Sequence, residues 1–193
     1  MRGAIYCIMI FILWSCNRSQ GDQIETASRW TKLKDSFAIK NATEFKLEKG
    51  FRYKDFHTIS CKLFDSTMSD QWCKTYLYSW QERDSSFIEF TVIMQQEDRG
   101  VQIVYYVFNH KDSLISATPV ASGNVSDLEF KMWSAFTSAD TLRSTSSVTS
   151  HERNGMTKGD TSVFEIIFDE YGKTTEKTIS EKKELKLDDA HYR

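Results

Sequence analysis

The stretch from Phe87 to Phe108 restricts the fold of this chain more than any other. Ile88, Phe90, Val92 and Met94 fall on one face of an extended segment, while Glu89, Thr91 and Gln95 fall on the other, with Phe87 and Ile93 as apolar exceptions. A period of two marks a strand with one side against a core, because successive side chains of an extended backbone point in opposite directions. Glu97-Asp98-Arg99-Gly100 then breaks the pattern with turn residues, the glycine being free to take positive φ. The next run, Val101 to Phe108 (VQIVYYVF), is apolar at both parities. It predicts a central strand covered on both sides. A one-sided strand joined by a short turn to a two-sided one predicts an antiparallel sheet.

The same rhythm recurs along the chain. Phe51 to Phe64 alternates, with His57, Ile59, Cys61 and Leu63 sharing one face, and Cys73, Thr75 and Leu77 share a face of the segment that follows. Leu114 to Ala121 holds the only proline, Pro119, which argues for an edge or a bulge because it cannot donate to a ladder. Leu128, Phe130 and Met132 alternate with Glu129 and Lys131. Thr141 to Glu152, rich in Ser and Thr with Leu142 and Val148 on one parity, predicts a solvent-facing strand, and Arg153 to Asp160 (RNGMTKGD) predicts a loop. Phe164, Ile166 and Phe168 give a further strand, and Asp169-Glu170-Tyr171-Gly172 closes a hairpin onto Lys173 to Ser180. About eight strands in sequential hairpins predict a mainly β protein, an antiparallel β-meander forming a barrel, half barrel or sandwich. Residues 24–180 make a single domain, followed by a charged tail over 181–193. A short N-terminal helix is predicted between Asp22 and Phe37, where Asp22 and Glu25 resemble a capping pair and Trp30, Leu33 and Phe37 recur at helical spacing. From Asp70 to Arg83 both periods fit: Trp72, Tyr76 and Trp80 stand at helical spacing, while Trp72, Lys74, Tyr76, Tyr78 and Trp80 share one strand face.

The N-terminus carries a different signal. Arg2 precedes an apolar run from Ala4 to Trp14 (AIYCIMIFILW), small Ser15 follows, and Cys16 opens a polar stretch, CNRSQGDQ. Eleven residues at helical rise reach about 16 Å, roughly half of a hydrocarbon core of about 30 Å, so the run is too short to span a bilayer. Leu13-Trp14-Ser15-Cys16 resembles the lipobox of bacterial lipoproteins. The resemblance implies a signal peptide over residues 1–15, cleavage before Cys16, acylation of its thiol and new amine, and a flexible tether over 16–23. It implies a cell-envelope protein held on the membrane by its N-terminal lipid, with Asn17 favouring the outer membrane. Two or three acyl chains anchor stably without any spanning segment.

Composition narrows the function. Without residues 1–15 the chain keeps 24 basic and 27 acidic side chains, too balanced to neutralise a phosphate backbone, so nucleic acid is not an expected partner. Forty per cent apolar residues supply a packed core and exclude global disorder. With Cys7 in the signal peptide and Cys16 lipidated, Cys61 and Cys73 remain as a candidate disulfide in an oxidising compartment, or else as two buried thiols. Paired opposite each other, they would leave Asp65 to Ser69 as the hairpin loop. No nucleophile elbow or phosphate loop is present, and the four histidines are scattered, so no catalytic residue, metal site or cofactor is expected. The row Trp72, Tyr76, Tyr78 and Trp80 is the candidate contact for a ligand or partner, because rings with polar tips suit pockets and interfaces. These features predict a non-enzymatic binding module for an envelope protein or an apolar small molecule, with a periplasmic immunity or inhibitor protein as the alternative.

Overall fold

A computed structural model of the protein describes residues 41–47, 52, 55–64, 69–96, 100–125, 128–151 and 156–187. The predicted signal peptide, Cys16, the tether and the N-terminal helix lie outside the described residues. Ten strands are present among those described: β1 (Glu44–Phe45), β2 (His57–Ile59), β3 (Cys73–Gln81), β4 (Ile88–Gln96), β5 (Gly100–Phe108), β6 (Leu114–Val125), β7 (Leu128–Ser138), β8 (Thr141–His151), β9 (Met156–Phe168) and β10 (Thr174–Leu187). They form one antiparallel sheet in which β2 to β10 follow each other in chain order, and β1 pairs with β7. The protein is therefore mainly β and a meander, and the sheet is not closed into a barrel. Asp70 to Arg83 resolves as a turn followed by strand β3.

The sheet folds over on itself. In a flat sheet β5 and β9 would lie four strands apart, about 19 Å, yet the rings of Tyr105 on β5 and Phe168 on β9 are 5.0 Å apart. The fold occurs between β6 and β7, which pair only from Ser122–Met132 to Val125–Leu128. Beyond that point β6 stays with β5, while the freed edge of β7 is taken by β1, with Phe45 opposite Ser134. Pro119 sits at the split, beside an irregularity in the β5–β6 register, so both expectations for it, a bulge and a locally free edge, are met. Hydrogen bonds from Ser116 Oγ to the Gly172 carbonyl (2.9 Å) and between the Thr118 and Thr174 hydroxyls (3.0 Å) join the start of β6 to the β9–β10 turn.

Two apolar clusters result. One lies between the facing halves and gathers Phe45, Ile93, Ile103, Tyr105, Val120, Leu142, Phe164 and Ile166. The other covers the opposite face of β3 to β5, where Trp80, Phe90, Tyr106 and Phe108 stack. Val101–Phe108 is thus the doubly covered central strand that its composition predicts.

Three expectations are corrected. Glu89 and Thr91, assigned by alternation to a polar face, are fully buried, because that face of β4 looks into the space between the halves. Residues 181–187, read as part of a solvated tail, are the second half of β10 and pair with β9 from Ser162 to Met156. The segment 153–160, read as a loop, already contains the start of β9 at Met156. The β9–β10 turn is as expected: Gly172 has φ +76°, and Asp169 accepts from the backbone N–H groups of Tyr171 and Lys173.

Candidate functional site

The aromatic row does not form one surface. Register between β3 and β4 shifts between Leu77 and Ser79, leaving Tyr78 as the extra residue of a bulge. A bulge reverses the parity that follows it. Tyr76 and Tyr78 consequently pack on the cluster between the halves, Tyr78 with its ring 5.4 Å from Phe56 and 6.3 Å from Phe45, and its burial raises the phenol's pKa. Trp80 points to the opposite face, stacked 5.6 Å from Phe90. Trp72 precedes the strand in a turn and is 67% exposed. Three of the four rings are thus engaged in core packing, Tyr76 and Tyr78 being partly buried, and Trp72 is the one that is mainly exposed.

A polar network that alternation did not reveal lies between the halves. Ser79 and Gln81 on β3, Glu89 and Thr91 on β4 and Tyr105 on β5 are all buried. The Ser79 and Thr91 hydroxyls share a hydrogen bond, and Gln81 Nε2 donates to Ser79 Oγ at 2.7 Å. Beside them Arg83 Nη2 donates to Glu89 Oε1, and Tyr105 donates to Glu89 Oε2 at 3.2 Å. The Arg83 guanidinium lies 4.5 Å over the Phe168 ring of β9. Burial pushes the Glu89 carboxyl above the ordinary range, opposed by Arg83 and then Tyr105. With one hydrogen bond to each carboxylate oxygen, Glu89 joins β4 to β5, and Arg83 links this group to β9. Phe87 and Ile93, the apolar exceptions on the supposedly polar face, were the available sign that this face is covered.

On the outer face of the other half, β8, β9 and β10 form a groove of about 240 Å³ lined by Ser147, Thr149, Thr157, Gly159, Thr161 and Glu184. Ser147 stands opposite Thr161, and Gly159 stands between Thr149 and Glu184, so these positions share one side of the sheet. Trp133 on β7, 39% exposed, pairs with Thr145 one row further along the same face. Gly159 forms the floor. Its backbone is not in the left-handed region, and a Cβ placed there would meet nothing within 4 Å. Neither conformation nor close packing requires glycine at a position where it weakens a strand by roughly 0.5–1 kcal/mol relative to alanine. The lining offers hydroxyls that both donate and accept, and a carboxylate that accepts, with Lys182 ion-paired to Glu184 at the rim. Such a surface suits a polar segment rather than an apolar molecule. In the sequence the hydroxyls read as a solvated strand and Gly159 as a loop residue, so the groove was missed.

Cys61 and Cys73 are buried free thiols in the cluster outside β3 to β5. Strand β2 ends at Ile59 and the chain enters a 3₁₀ turn over Cys61–Leu63, capped by Ser60. Asp70 closes this connection: its Oδ1 accepts from the Cys61 backbone N–H at 2.8 Å and from Cys61 Sγ at 3.1 Å, and its Oδ2 accepts from Ser60 Oγ at 2.9 Å. These donors, Cys61 first, hold the Asp70 carboxyl below its usual value. Desolvation, reinforced by Asp70, pushes the Cys61 thiol up to about 12. Among the described residues, no group of three or more His, Cys, Asp or Glu gathers to hold a metal ion. Comparison with protein-family models, with curated proteins and with solved structures finds no match.

Proposed function

We propose that this chain is a lipid-anchored cell-envelope module that binds a protein partner through the outer face of β8 to β10. The N-terminal run ending at Cys16 supports the anchor. The observation that carries the binding reading is Gly159, a glycine in the interior of a paired strand, on the groove, where neither a positive φ nor a close contact calls for it. Hydroxyls and a carboxylate in an extended groove match the donors and acceptors of a peptide segment. The apolar-ligand version is less well supported, because Tyr76, Tyr78 and Trp80 pack against the protein's own core.

Gly159→Val separates this role from a structural one. Valine favours a strand and its Cβ meets nothing within 4 Å here, so the variant is expected to fold with stability unchanged or raised by roughly 0.5–1 kcal/mol. A photo-crosslinker placed at Thr149 or Thr161 in living cells is expected to capture one and the same protein from both positions, and Gly159→Val to abolish that capture. Adducts that persist in the variant, or no common adduct from the two positions, contradict the reading.

A further inference from the structure

We propose that Cys61 and Cys73 are a disulfide-forming pair, closed by thiol–disulfide exchange with a disulfide oxidant of the compartment into which the chain is exported. Strands β2 and β3 pair His57 with Leu77, Thr58 with Tyr76 and Ile59 with Thr75. Two residues past the last of these pairs, Cys61 opens the 3₁₀ turn at the end of β2 that adjoins the start of β3 at Cys73. Both side chains are buried in the same apolar cluster.

Asp70 describes the reduced state of this site. It takes hydrogen bonds from both the Cys61 N–H and the Cys61 thiol, so in the folded, reduced protein Cys61 is held beside the residues that lead into β3. The site's burial places the reaction before β2 settles on β3, while the sulfurs are still accessible. In the first step the thiolate of one cysteine attacks the oxidant's disulfide, forming a mixed disulfide and expelling one thiolate. In the second, the other cysteine attacks its neighbour's sulfur in that mixed disulfide, forming the Cys61–Cys73 bond and expelling the oxidant's second thiolate. Two electrons pass to the oxidant's disulfide, and the two thiol protons pass to the expelled thiolates. The product ring locks the three-residue strand β2 onto β3 and fixes the turn that presents Trp72.

The oxidant is supplied only if the chain is exported, so the proposal rests on that part of the functional reading, and the test has two arms. The mature protein extracted from membranes is denatured with a maleimide present, with or without prior reduction, and its tryptic peptides are weighed. Cys61 and Cys73 are expected to be unlabelled without reductant and both labelled after it, and the remaining cysteine to become labelled without reductant in Cys61→Ser and in Cys73→Ser. In the second arm the protein is reduced, refolded and exposed to a glutathione redox buffer, which supplies the oxidant whether or not export occurs. An intramolecular bond that forms in the second arm but not the first refutes oxidation in the cell while sustaining the geometry. Free thiols in both arms, or disulfide-linked dimers in place of the internal bond, overturn the pairing itself.

Discussion

Replacing Glu89 with leucine while Arg83 stays in place is expected to cost roughly 3–5 kcal/mol of folding stability. That is a large fraction of the about 5–15 kcal/mol typical of a domain. Glu89 is fully buried and the Arg83 side chain is 10% exposed, so removing the carboxylate leaves a guanidinium desolvated and unpaired. The double variant Arg83→Met/Glu89→Leu is expected to recover most of the loss, since replacing both members of a buried pair with apolar groups of similar size is often neutral or better. Urea denaturation of the two singles and the double completes the cycle, and additive losses would contradict direct coupling. The sign of the pH dependence follows from burial. The folded-state carboxyl titrates above its unfolded value, so the native state binds the extra proton between those two values, and this group's contribution to stability falls as pH rises through that window. Glu89→Gln removes that slope.

Phe45→Ala is expected to cost a similar amount, roughly 3–5 kcal/mol, although β1 is only two residues long. Phe45 is fully buried, and its ring lies 6.3 Å from Tyr78, 6.2 Å from Tyr105 and 6.1 Å from Phe136. It fills the wedge where β6 and β7 part, so its loss opens a cavity bounded by both halves. Trp72→Ala, removing a larger but exposed ring, is the matched control and is expected to change stability by no more than about 0.5 kcal/mol. Equal costs for the two variants would mean that the halves do not close on Phe45.

What the sequence revealed was local. The period of two in β4, the two-sided β5 and the irregularity at Pro119 each depend on a few neighbouring residues, and each was readable. What it hid depends on the sheet folding over. Alternation reports that Glu89 and Thr91 share a face, but only the return of β9 with Phe168 decides that the face is covered. The aromatic row failed for a different reason: one extra residue at Tyr78 reverses parity, and nothing in the composition of β3 announces it. Residues 181–187 read as a tail because a charged, lysine-rich strand looks unlike a core element. Such charge is how a strand at the edge of a sheet avoids pairing with other chains, and β10 is the terminal strand here.

The proposal that the protein works from the membrane surface depends on the fate of Cys16, and labelling cells with an alkyne fatty acid tests it most directly. The wild-type chain is expected to carry the label, to begin at Cys16 by mass spectrometry and to sediment with membranes, and Cys16→Ala is expected to carry none. Equal labelling of the two chains, or a wild-type mature protein that begins at another residue and stays in the soluble fraction, would contradict the anchor.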